Sequence, residues 1–159
     1  MLGDGVVILL EKHVMAKTIL LCDDELHILR AAEFKFRRGG YDVLLASDGE
    51  EAWQLIRKQL PDILVTDCQM PRLSGLELAE RVRNNSETNM LPVIMLSAKG
   101  FELSQQEISE RYGIRLLLGK PFSPRDLYAR VEAILAGDSP LASCCPTSAV
   151  SQWLLPHRF

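Results

Sequence analysis

The chain lacks any apolar run approaching the roughly 20 residues of a membrane-spanning helix. The run "GVVILL" at 5–10 is also short for the core of a signal peptide, and it follows Asp4 with no basic residue before it. Neither a membrane span nor secretion is expected. Excess positive charge is missing too: 18 Lys and Arg face 21 Asp and Glu, a formal net charge of −3. That balance argues against a broad electrostatic footprint for nucleic acid. The cysteines, Cys22, Cys68, Cys144 and Cys145, form no Cys-x-x-Cys pair and no zinc-like array with histidine. Reduced thiols in a cytoplasmic protein are expected, with Cys22 and Cys68 acting as small buried hydrophobes. No internal repeat is evident. What is present is 159 residues, 47% hydrophobic and 25% charged, ordinary for one globular domain with a sizeable core.

From Lys17 onward, short apolar runs alternate with amphipathic stretches. The runs "TILLC" (18–22), "YDVLLA" (41–46), "DILVT" (62–66), "PVIMLS" (92–97) and "IRLLL" (114–118) read as strands. Ile28, Ala31, Ala32 and Phe36 recur at helical spacing until Gly39 and Gly40. Asp48 can cap a helix with Ala52, Leu55 and Ile56 on one face, which Pro61 stops. A third helix follows Ser74 and carries Leu76, Ala79 and Val82, and a fourth is expected near 103–112. The last, at about 124–136, places Leu127, Val131, Ile134 and Leu135 on one stripe. Five strands alternating with five helices imply an α/β fold, with a parallel sheet covered on both faces and right-handed crossovers. Residues 1–16 stand outside this unit (17–136) as an N-terminal extension, and 137–159 as a C-terminal tail. The tail begins "GDSPLASCCPTSAVS", which reads as disordered, and ends in the more apolar "QWLLPHRF". It is too short for an independent output domain.

In such sheets, ligands bind beyond the carboxyl ends of the strands. Strand one runs into Cys22 and then Asp23-Asp24; strand three ends in Asp67, strand four in Ser97, and Lys120-Pro121 follow strand five. Three carboxylates in one place resist ionising together, and a divalent cation resolves the conflict. Magnesium takes oxygen ligands and commonly pairs one or two carboxylates with phosphate oxygens. A lysine and a hydroxyl beside it suit a phosphoryl group. No histidine or cysteine is placed to compete as nucleophile, so a carboxylate would serve, and Asp67 is the candidate.

The segments "LLCDDE" (20–25), "VTDCQMP" (65–71) with Gly75, "MLSA" (95–98) and "GKPF" (119–122) resemble the receiver domain of two-component response regulators, of the stand-alone chemotaxis type. Each is weak alone; four in this order, each at a strand end, are specific. The resemblance covers roughly residues 17–136 and implies a flavodoxin-like (βα)5 fold with strand order 2-1-3-4-5. It makes Asp67 the phosphoacceptor, served by a sensor histidine kinase or a histidine phosphotransfer domain. Asp23 and Asp24 match the metal-binding pair, Asp24 more directly and Asp23 through water. Together with Asp67 and the backbone carbonyl of Gln69, they would hold Mg2+. Ser97 matches the switch hydroxyl, and Lys120 the lysine that pairs with the phosphoryl group. A cis bond before Pro121 is usual in the family. Output would run through the face of helix four, strand five and helix five, to a downstream effector protein or a second copy of the chain.

Two positions depart from the family pattern. Leu117 stands where an aromatic residue usually rotates on activation, and the segment between Ser97 and Lys120 is one residue longer, in the loop around 99–104. Gln69 and Lys99 lie where family members tune autodephosphorylation. Taken singly, each site residue also has a plainer reading: Asp67 a turn residue, Asp23 or Asp24 a helix cap, Ser97 a loop serine, Lys120 a surface charge. His27 is expected on a solvated helix face, and Trp53 packed on a helix flank. A haloacid-dehalogenase-type phosphohydrolase would need an acid two residues after the nucleophile, where Gln69 stands, and a cap region for which there is little chain. A receiver-like scaffold working without phosphorylation is the alternative that Leu117 favours. A signalling module, rather than an enzyme with turnover on metabolites, is the expectation.

Overall fold

The computed structural model describes residues 16–98 and 104–137. Expectations for residues 1–15, for the loop 99–103 with Lys99, and for the tail beyond 137 with Cys144 and Cys145 lie outside the described residues. The strands are β1 (Thr18–Cys22), β2 (Asp42–Ala46), β3 (Ile63–Asp67), β4 (Val93–Ser97) and β5 (Leu116–Gly119). Between and after them run α1 (Leu26–Arg38), α2 (Gly49–Lys58), α3 (Gly75–Asn84), α4 (Gln105–Tyr112) and α5 (Pro124–Leu135). All pairings are parallel and the order is β2-β1-β3-β4-β5.

Every residue of β1, β3 and β4 is buried. Helices cover both faces, which is why these strands read as unbroken apolar runs and not as alternation. The pleat divides their side chains between two core layers. Leu20, Leu64 and Met95 meet Ala52 and Ile56 of α2, Leu78 and Val82 of α3, and Ile108 of α4. Ile19, Val65 and Leu96 meet Leu29 and Phe36 of α1 and Leu127 and Val131 of α5. Each large aliphatic side chain so buried contributes about 1.5–3 kcal/mol.

Helix starts follow their caps. Asp48 accepts from the Glu51 N–H at 2.9 Å, and Ser74 with Glu77, and Ser104 with Glu107, form capping boxes. In two helices part of the expected apolar stripe holds, with Ala32, Phe36, Ala79 and Val82 buried, and part does not. In α1 the buried set is Leu29, Ala32 and Phe36, while Ile28 is half-buried and Ala31 exposed. In α3 Leu78 is buried and Leu76 only half-buried. Strand five also starts later than expected. The Ile114 N–H donates back to the Ile108 carbonyl (3.4 Å) past Gly113 at φ +64°, so Ile114 closes α4 in a left-handed cap and does not open β5. Arg83 of α3 reinforces that end, donating to the carbonyls of Tyr112 (3.2 Å) and Gly113 (2.6 Å). On β5 the Leu117 N–H donates to the Gln105 side-chain oxygen at 2.7 Å.

Candidate functional site

The parallel register brings the ends of β1, β3 and β4 to one edge of the sheet. Asp23 follows β1, its N–H donating to the Ala46 carbonyl (3.2 Å), and its Oδ1 accepts from the Glu25 N–H (2.9 Å). Asp67 closes β3. The turn after it is tied down by the Cys68 N–H to Leu96 (2.8 Å) and by the Gly75 N–H to the Cys68 carbonyl (2.9 Å). Gly75 must be glycine, because a Cβ there would lie 2.1 Å from the Asp67 carbonyl oxygen. Carboxylate oxygens of Asp23, Asp24 and Asp67 lie within 4.8 Å of one another, the first and last buried and Asp24 exposed.

Lys120 reaches in from beyond β5. Its Nζ lies 2.9 Å from Asp23 Oδ2, 3.0 Å from Glu25 Oε1 and 3.2 Å from Asp67 Oδ1. Its backbone N–H donates to the Ser97 carbonyl at 2.7 Å, which ties the end of β4 to the lysine. Ser97 itself is buried at the end of β4. The Lys120–Pro121 peptide is cis. Gln69 sits exposed in the turn after β3. The structure thus places Asp23, Asp24, Asp67 and Lys120 together at one edge of the sheet. The sequence reading missed Glu25, whose signal was a third acid directly after the Asp pair.

Three carboxylates thus contact one ammonium, and Asp24 lies beside two of them. Burial raises the Asp23 carboxyl above its ordinary value, against the pull of Lys120. Asp67 is raised by burial first and then by the Asp23 charge. Burial alone would lower Lys120, but its contacts to Asp23 and Glu25 and the charges of Asp23 and Asp67 hold it well above the usual lysine range. Asp23 Oδ2 is buried without a well-aligned hydrogen bond, and Lys120 Nζ at 2.9 Å is its ionic partner. A surplus of buried negative charge with an oxygen left unsatisfied fits a hard divalent cation such as Mg2+.

The neighbouring thiols are free and buried. Burial pushes Cys22 up to about 12 and Cys68 up to about 11, so both are protonated at neutral pH and act as small hydrophobes. His27 is solvated, with 79% of its side chain exposed, and Trp53 packs half-buried against the core. Leu117 likewise packs half-buried on the core. Among the described residues, no helix is long and apolar enough to cross a membrane.

A doubly wound parallel sheet with an acidic cluster and a lysine at its carboxyl edge is the flavodoxin-like architecture of the signal receivers. The family model for the response regulator receiver domain matches residues 19–132. The chain is 40% identical over 125 residues to the alkaline phosphatase synthesis transcriptional regulatory protein PhoP of Bacillus subtilis, covering 76% of this chain and 49% of that protein. It is 37% identical over 147 residues to the phosphate regulon transcriptional regulatory protein PhoB of Pseudomonas aeruginosa, covering 91% of this chain and 64% of the relative. The chain therefore spans about half to two thirds of the length of these relatives. Its fold superposes on the chemotaxis response regulator CheY4 of Vibrio cholerae with a TM-score of 0.69 at 27% identity, over 76% of this chain and 99% of that one. The chain belongs to the response regulator receiver domain family of two-component systems.

Proposed function

We propose that Asp67 accepts a phosphoryl group from the phosphohistidine of a sensor histidine kinase or a histidine phosphotransfer domain. An Asp67 carboxylate oxygen attacks phosphorus, the P–N bond breaks, and the electron pair leaves with the imidazole. Asp23, Asp24, Asp67 and the backbone carbonyl of Gln69 would hold Mg2+, which when bound neutralises charge on the phosphoryl oxygens. Lys120 pairs with the transferred group, and the Ser97 hydroxyl bonds it from the end of β4. The changed α4–β5–α5 surface then engages a downstream effector protein or a second copy of the chain. Hydrolysis of the acyl phosphate resets the domain, which is a cytoplasmic switch and not a turnover enzyme. One observation carries this reading: three carboxylates converge within 4.8 Å, with Lys120 3.2 Å from Asp67.

The test is intact mass after incubation with acetyl phosphate, with and without Mg2+, for wild type and Asp67→Asn. A Mg2+-dependent gain of one phosphoryl group in wild type alone is expected. No gain in folded wild type would leave the phosphorylation-independent scaffold. That second reading has Leu117 in its favour, an aliphatic side chain packed on the core with its N–H held by Gln105.

A further inference from the structure

Lys120 has three N–H donors, and three carboxylates surround it, at 2.9 Å (Asp23), 3.0 Å (Glu25) and 3.2 Å (Asp67). A phosphoryl group on Asp67 brings new oxygens that compete for the same ammonium. One existing partner must then give way, and the three differ sharply in what release would cost. The Asp23 side chain is 1% exposed, with Oδ2 lacking any well-aligned hydrogen bond, so losing the lysine would strand a buried charge. Asp67 is the group that carries the phosphoryl. Glu25 has 47% of its side chain in solvent and His27 Nε2 at 3.6 Å as a second partner. Glu25 also stands at the N-cap of α1 without a side-chain capping bond, so no helix duty restrains its carboxylate. It can leave the lysine and stay hydrated.

We propose that Glu25 is a positioning residue, an internal competitor that occupies Lys120 in the unphosphorylated domain and is displaced into solvent when Asp67 is phosphorylated. Its carboxylate occupies the N–H donor that a phosphoryl oxygen would otherwise take. This inference rests on the reading of Asp67 as phosphoacceptor. It predicts that removing the Glu25 charge speeds phosphorylation, because the lysine no longer has to be won from a rival.

The experiment compares wild type with the near-isosteric Glu25→Gln, as full chains with excess Mg2+, following the phosphorylated fraction by intact mass. Two donors are used: acetyl phosphate, and phosphoramidate, which carries one negative charge fewer near neutral pH. Breaking a part-exposed ion pair should raise the rate by about two- to five-fold. The gain should be similar for both donors and should shrink at high salt. Equal rates for wild type and Glu25→Gln would overturn the competitor role while leaving Asp67 as phosphoacceptor. So would a gain confined to acetyl phosphate, since that pattern marks simple repulsion of a dianionic donor at the mouth of the site. Wild type that takes no phosphoryl group from either donor would overturn the phosphoacceptor reading, and this inference with it.

Discussion

Replacing Asp67 with Asn should stabilise the metal-free protein at neutral pH, although it removes an ion pair with Lys120. At an effective dielectric constant of about 20, each like-charge contact, taken at the 4.8 Å outer limit of the cluster, costs about 3.5 kcal/mol, and the 3.2 Å attraction to Lys120 returns about 5 kcal/mol. Two repulsions outweigh one attraction by about 2 kcal/mol, and solvent screening at exposed Asp24 reduces the margin to about 1 kcal/mol. For a domain of this size that is a rise of about 4 °C in Tm. The pH dependence has a definite sign. The folded-state pKa of Asp67 is raised above the ordinary 3.8. The wild-type fold is therefore unpenalised below that value and loses stability as pH rises through the folded pKa. The Asn variant lacks this loss, so the two proteins should converge near pH 4 and separate towards neutrality, about 1 kcal/mol apart. Thermal or urea unfolding in EDTA measures the gap. Adding Mg2+ should close or reverse it, since a ligand at ten times its dissociation constant stabilises by about 1.4 kcal/mol. An Asn variant less stable than wild type in EDTA at neutral pH would refute the reasoning, because Lys120 would then more than neutralise the cluster.

Gly75→Ala should destabilise by about 1–3 kcal/mol, because its Cβ would meet the Asp67 carbonyl oxygen at 2.1 Å; chemical denaturation checks this, and slowed phosphorylation should accompany it as the nucleophile is pushed out of place. Arg72 sits at φ +66° beside the site, so Arg72→Gly should gain up to about 1 kcal/mol of backbone relief. The loss of its 3.5 Å pair with the buried Asp48 carboxylate opposes this, and solvent around the exposed Arg72 end keeps that loss to about 1 kcal/mol or less. A fall in unfolding midpoint for that variant would show that the pair outweighs the strain.

The strands and the site were legible for one shared reason. Burial on both faces writes β1, β3 and β4 as apolar runs, and a polar residue ending such a run has nowhere to be except the rim. Asp67 and Ser97 announced themselves this way. Helix phase was less legible, because α1 offers two overlapping apolar sets, one through Ile28 and one through Leu29. Only the sheet beneath decides between them. The start of β5 was obscured similarly: Ile114 is as apolar and buried as a strand residue, yet its N–H belongs to the cap of α4. Glu25 was hidden because its role is a contact across 95 positions to Lys120, and no local pattern encodes that distance.

The bond from Leu117 to Gln105 bears on how copies of this chain can meet. β5 is an outer strand of the sheet, and an outer strand offers unpaired N–H groups as a template on which a foreign strand can add. Here a side chain from the protein's own α4 already occupies one of those groups, at mid-strand. A second chain adding along this border would have to evict the glutamine before pairing with the Leu117 N–H. The border is thereby defended against runaway stacking, and association on this side of the molecule is steered towards the helical surfaces that flank it.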